Sequence, residues 1–212
     1  MKQIGFACCA FMVCAILFLA SGGCMSVPNT PNPRFYTLGA IGENQAAQKF
    51  NIAPNTIIGV GPVRIPEYLN RPQIVTKDGE GMLTFAQFDR WGEPLDLALS
   101  RLISANLTLL LPGVNMEVYP WNIAIPVEYQ VLADVVQLES ELDKDLFFVA
   151  QWSLLDARNN KMLFTKRFEF RKPIEPHSYS GLAETLSMAC ASLSREIAEA
   201  LATLAKEPET KK

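Results

Sequence analysis

Three long strand-like runs between Val127 and Phe170 constrain this chain more than any other feature. Val127, Tyr129, Val131, Ala133 and Val135 are set against Glu128, Gln130 and Asp134, the two-residue period of a strand with one face buried. Leu146 to Leu155 is apolar on both faces at its start, which predicts a central strand. After a turn over Asp156 to Asn160, Met162, Phe164, Phe168 and Phe170 alternate again. Strands joined this closely pair as hairpins, so an antiparallel meander is expected.

Shorter extended runs precede the meander. Phe35 to Leu38 comes first, and Thr56 to Ile65 is rich in β-branched residues but interrupted by Gly59, Gly61 and Pro62, which predicts a bulge or an edge position. Gln73 to Lys77 and Met82 to Phe85 flank Asp78-Gly79-Glu80-Gly81, a turn of hairpin chemistry. A short strand is expected around Met116 to Tyr119, followed by a loop bracketed by Pro120 and Pro126.

Two segments carry helical spacing. Pro94 suits a first turn, and Leu95, Leu99, Leu102 and Leu109 mark a face broken only by Asn106; the helix should stop before Pro112-Gly113. The second, with Ser180 as its N-cap, has a stripe of Leu182, Leu186, Cys190, Leu193, Ile197, Leu201 and Leu204. Cys190 on that stripe reads as a buried core thiol. Strand runs with two separate helices predict an α+β fold: a single domain over residues 34–205, with a mostly antiparallel or mixed sheet and two main helices packed on one face. The charged end, 206–212, is expected to be disordered.

The first 24 residues have a different logic. Lys2 is followed by uncharged, mostly apolar residues from Ile4 to Ala20, then by Ser21-Gly22-Gly23 and Cys24. A positive start, an apolar stretch and a small-residue cluster make a signal peptide over 1–23. Leu19-Ala20-Ser21-Gly22-Gly23-Cys24 resembles a bacterial lipobox, with Ser21 where a large aliphatic residue is usual, and the resemblance makes Cys24 the expected lipidation site. An uncleaved transmembrane anchor is the alternative, since the apolar run is only slightly short of the ~20 residues a spanning helix needs. Residues 24–33 contain Pro28, Pro31 and Pro33 and read as a tether, which at ~3.1 Å per residue reaches up to ~30 Å from a bilayer.

Inventory limits the chemistry. His177 is the single histidine and lies in a loop, so a histidine-based metal site is excluded, and Gly59-Val60-Gly61 lacks the residues of a phosphate-cradling loop. Glu139, Glu141, Asp143 and Asp145 alternate along an expected turn, without the glycine and spacing of a calcium loop. A net charge of −3 with scattered Lys and Arg gives no electrostatic case for nucleic acid. Four of the five cysteines lie in the first 24 residues, so no disulfide framework is available to the body. No cofactor is expected. Asn106-Leu107-Thr108 has the form of a glycosylation acceptor but falls inside the predicted helix.

The densest unusual run is Ile58 to Val75, IGVGPVRIPEYLNRPQIV, continued by Phe88-Asp89-Arg90-Trp91-Gly92-Glu93-Pro94-Leu95, then Leu99, Arg101-Leu102 and Asn106-Leu107. With Phe35-Tyr36-Thr37-Leu38 it resembles the ABC-type transport auxiliary lipoprotein family, which includes the lipoprotein of the paraquat-inducible (Pqi) intermembrane transport system. Gly92 stands where that family often has alanine. The resemblance implies a non-enzymatic outer-membrane lipoprotein, facing the periplasm of a Gram-negative bacterium and working with an MCE-domain protein that forms a lipid tunnel; Met25 after the cysteine fits outer-membrane sorting. Self-association is compatible with it. Tyr68, Arg90 and Trp91 have two readings. They can fix a loop and seat the following helix, or they can form a partner contact, since Tyr, Trp and Arg dominate interface energetics. A stand-alone envelope lipoprotein is the rival function, and a hydrolase with paired carboxylates the third.

Overall fold

The computed structural model describes residues 30–204. The expected signal peptide, Cys24, the start of the tether and the 206–212 tail lie outside the described residues. From Pro33 onward the chain makes one unit.

A five-stranded sheet has the spatial order β5-β2-β6-β7-β8, built from β2 (Ile57–Arg64), β5 (Asn115–Val118), β6 (Tyr129–Ser140), β7 (Asp145–Asp156) and β8 (Lys161–Pro173). A smaller sheet, β1-β4-β3, contains β1 (Arg34–Tyr36), β3 (Gln73–Lys77) and β4 (Leu83–Trp91). The meander β6-β7-β8 is antiparallel throughout, as the alternation predicts. The mixed character comes from β2, which runs parallel to both β5 and β6, and from β1, which runs parallel to β4. The two sheets are stitched where the Ser140 hydroxyl donates to the Val75 carbonyl at 3.2 Å.

Helices α1 (Leu95–Leu110) and α2 (Tyr179–Leu204) pack together over one face of the large sheet. Leu146, Phe148, Ala150, Trp152 and Leu154 of β7 are all buried beneath them, one side of a period-two strand. The α1 leucines and the α2 stripe through Leu201 meet this layer, and Cys190 is fully buried in it. Burial pushes the Cys190 thiol up to about 12.

Three expectations change and one is narrowed. Strand β4 does not end at Phe85 but continues to Trp91, because its second half is paired on both sides, with Gln73 of β3 and with residues 34–36 of β1. Of the two positions expected for β2, a bulge or an edge, the bulge is the one observed, between Val60 and Val63, in a strand flanked by β5 and β6. Ser178, not Ser180, caps α2: its hydroxyl accepts from the Gly181 amide at 3.2 Å, while Ser180 Oγ pairs with Ser178 Oγ at 2.8 Å. Glu139 and Asp145 lie in strands, leaving only residues 141–144 for the turn.

Asn106 is no flaw in the α1 face. Fully buried, its Oδ1 accepts from the Ile41 amide at 2.9 Å and its Nδ2 donates to Ser194 Oγ at 3.3 Å, which ties α1 to the 39–42 segment and to α2.

Candidate functional site

The chain enters the fold at β1. Arg34 and Tyr36 alternate with exposed Phe35, so both reach the same neighbour across the parallel pair, where Arg34 is opposite Asp89. The Arg34 guanidinium donates to Asp89 through Nε at 2.7 Å and Nη2 at 2.8 Å, a two-pronged contact, and the Tyr36 hydroxyl donates to the same carboxylate at 2.7 Å. Asp89 is only 4% exposed. The Arg34 contact holds its carboxyl below the usual range against the opposing effect of burial, and Tyr36 adds to the lowering. A carboxylate kept ionised with its oxygens occupied is a fastening, not a proton acceptor awaiting substrate.

Asp89 carries no local mark of this role in the sequence. The available signal is its register: it shares a face of β4 with Trp91, a core residue, and a lone acid at a core position needs a cation nearby.

The three residues with a partner-contact reading separate. Trp91 is 7% exposed and belongs to the core, so its side chain offers little surface. Arg90, its neighbour in the strand, faces the other way and is half-buried. Tyr68 is the middle residue of the short helical turn Glu67–Leu69 and lines a cavity of about 200 Å³ with Lys77 and Glu139. Burial, then the Glu139 charge, raises the Tyr68 hydroxyl. Lys77, 2.9 Å from Glu139, holds that carboxylate below its ordinary value.

Gly59 and Gly61 have a use that interrupted strand propensity does not reveal. Since β5 and β6 both run parallel to β2 on its two sides, the chain leaving Val118 must travel back along β2 before Tyr129 can start. Ile58 and Val60 point into the core, so Gly59 faces away from the helices, and there the Trp121 ring lies so close that a Cβ at 59 would be 2.6 Å from it. At Gly61, with φ of 109°, a Cβ would be 3.0 Å from Tyr119 Cβ. The Gly61 carbonyl accepts from Gln130 Nε2 at 2.8 Å, so the bulge leaves it satisfied. Tyr119 and Trp121 meet edge to face with centroids 5.7 Å apart.

A groove of about 730 Å³ runs along the outer side of α2, between β8 and the 36–45 segment. Its lining mixes Ile41, Phe170 and Met188 with Lys172, Glu184 and Arg195. His177 lies exposed in its loop with Nδ1 3.0 Å from the Leu142 carbonyl. Among the described residues no cluster of His, Cys, Asp and Glu is grouped to hold a metal ion, and no helix is long and apolar enough to cross a membrane.

Residues 36–198 match the model of the ABC-type transport auxiliary lipoprotein component family. An uncharacterized protein of known crystal structure is similar at 19% identity, with TM-score 0.64, covering 81% of this chain and 99% of that one. A crystal structure of a Xanthomonas campestris protein is similar at 13% identity and TM-score 0.58, covering 77% of this chain and 92% of that one. At these identities both likenesses speak for the fold alone. No curated protein matches the chain.

Proposed function

Because the chain belongs to the ABC-type transport auxiliary lipoprotein component family, we propose that it is an outer-membrane lipoprotein, lipidated at Cys24 and facing the periplasm of a Gram-negative bacterium. It serves there as the accessory subunit of an MCE-type intermembrane lipid transport system and acts by docking rather than catalysis. The family match over residues 36–198 carries this reading. The state of the charged groups supports it: Asp89 and Glu139 are each fastened to a cation, which holds elements together and leaves neither carboxylate free to move a proton.

In this reading the acyl chains at Cys24 and the proline-spaced stretch to Pro33 keep the domain beside the membrane, since several acyl chains together anchor a protein far more durably than one. Tyr68 and Arg90 contribute to the partner-facing surface, while Trp91 holds the strand beneath. Self-association of the subunit is compatible with a docking role.

Crosslinking of the tagged protein in membranes, followed by purification and mass spectrometry, is expected to recover an MCE-domain protein. Failure to recover one, with the protein still in outer-membrane fractions, points instead to a stand-alone envelope lipoprotein. Intact mass reads the anchor separately: acylated Cys24 as the first residue is expected, and retention of Met1 to Gly23 overturns it.

A further inference from the structure

The connection over residues 119–128 crosses β2 on the helix-free side of the large sheet, and its chemistry differs from that of the surface around it. From Val118 to Val127 no residue is charged, and Glu117 and Glu128 stand at the two ends. Ile123 is 98% exposed, far beyond the other exposed large apolar residues. The tip is also braced. The Asn122 side chain accepts from the Ala124 amide at 2.9 Å, the Asn122 carbonyl accepts from the Ile125 amide at 2.9 Å, and the Val127 amide donates to the Ile125 carbonyl at 2.9 Å. Beneath it Trp121 presses on Gly59 and meets Tyr119. An aliphatic side chain is thus held out in water on a rigid mount, above two aromatic rings that each carry a polar atom.

We propose that this loop is a membrane-contact tip, with Ile123 entering the acyl boundary and Tyr119 and Trp121 at headgroup level. Aliphatic residues prefer the hydrocarbon, and Tyr and Trp the interface, so the loop's order of side chains matches a bilayer's order of layers. A protein partner fits less well. A stable protein interface takes about 800 Å² from each side. The row of the open face level with Gly59 runs through Gln130, Leu155 and Met162, so a polar residue interrupts it, and farther along the same face the sheet carries ion pairs, Arg64 with Asp134 at 3.7 Å and Arg167 with Glu169 at 2.6 Å. One isoleucine cannot hold a protein on a membrane. For a chain already anchored it need only select an orientation, because a tether raises the effective concentration of surface and loop. The proposal therefore rests on the membrane-anchored reading.

Tryptophan quenching tests it without any label. Of the three tryptophans, Trp91 and Trp152 are 7% and 0% exposed, so a quencher in the membrane reports on Trp121. The full protein is placed on vesicles of phosphatidylethanolamine and phosphatidylglycerol containing a lipid with a nitroxide near the headgroup. Flotation confirms attachment whether Cys24 is acylated or the apolar segment is retained, and intact mass tells these apart, so the loop is judged independently of the anchor's chemistry. The expected result is quenching in the native protein that is lost in Trp121→Phe and in Ile123→Asp, with unchanged thermal unfolding for Ile123→Asp. Attached protein whose emission is not quenched, or is quenched equally in Ile123→Asp, overturns the proposal. Emission that shifts with protein density but ignores the nitroxide lipid also overturns it, and assigns the loop to contact between copies.

Discussion

At the scale of single residues, Gly59 and Asp89 do specific work that their types alone do not announce. Alanine in place of a strand glycine ordinarily gains about 0.5–1 kcal/mol. At Gly59 the sign reverses, because the new methyl meets the Trp121 ring at 2.6 to 3.0 Å. Gly59→Val is expected to cost about 1–3 kcal/mol in urea unfolding, as overpacking does. Truncating the ring with Trp121→Ala should relieve most of the cost of Gly59→Ala, a non-additivity that a double-mutant cycle measures. Asp89 sets a pH dependence. Its carboxyl is held below the usual range by Arg34, so its contribution is complete above the unfolded value of about 3.9 and disappears as pH falls through the lower folded value. Glu139, lowered by Lys77, acts with the same sign. Unfolding midpoints should therefore hold steady from neutral pH down to the ordinary carboxylate range and drop below it. Asp89→Asn should lower the neutral-pH midpoint and flatten the acid slope.

At the scale of elements, Asn106 joins three pieces that share no strand pairing. Asn106→Ala leaves the Ile41 amide and Ser194 hydroxyl without this partner inside the protein, which is expected to cost about 1–3 kcal/mol. Hydrogen exchange at the Ile41 amide should accelerate more than exchange in β7, since the loss is local to the 39–42 segment. In the sequence, this asparagine looks like a break in a leucine face, because a side chain's partners 65 and 88 positions away leave no local mark. The same reason divides what could be read from what could not. Strands β6 to β8 were legible because alternation and the turn at Asp156 are short-range signals that agree with each other. The central place of β2 was not, since its glycines and Pro62 fit a bulge or an edge equally well until the returning loop that needs them is in view. Arg90 and Trp91 stand out in the sequence as unusual residues, while Asp89 between Phe88 and Arg90, which binds the Arg34 guanidinium, does not.

At the scale of the whole molecule, Cys190 reports on integrity. It is fully buried with its thiol pushed up to about 12, so a thiol reagent should reach it only when the fold opens. Labelling of Cys190, read by peptide mass so that Cys8, Cys9, Cys14 and Cys24 do not contribute, is expected to rise with denaturant along the global unfolding transition. Fast labelling in native buffer would mean that α2 detaches on its own. A mechanical consequence lies in the clamp at β1. Whatever tension reaches the domain from its N-terminal side arrives at Arg34, the first residue of a strand only three residues long. A pull along that strand's axis loads its bonds to β4 and the two-pronged grip on Asp89 together, in shear, rather than peeling them singly. The domain is thus moored at its first strand, and the mooring would part there before the meander behind it felt the strain.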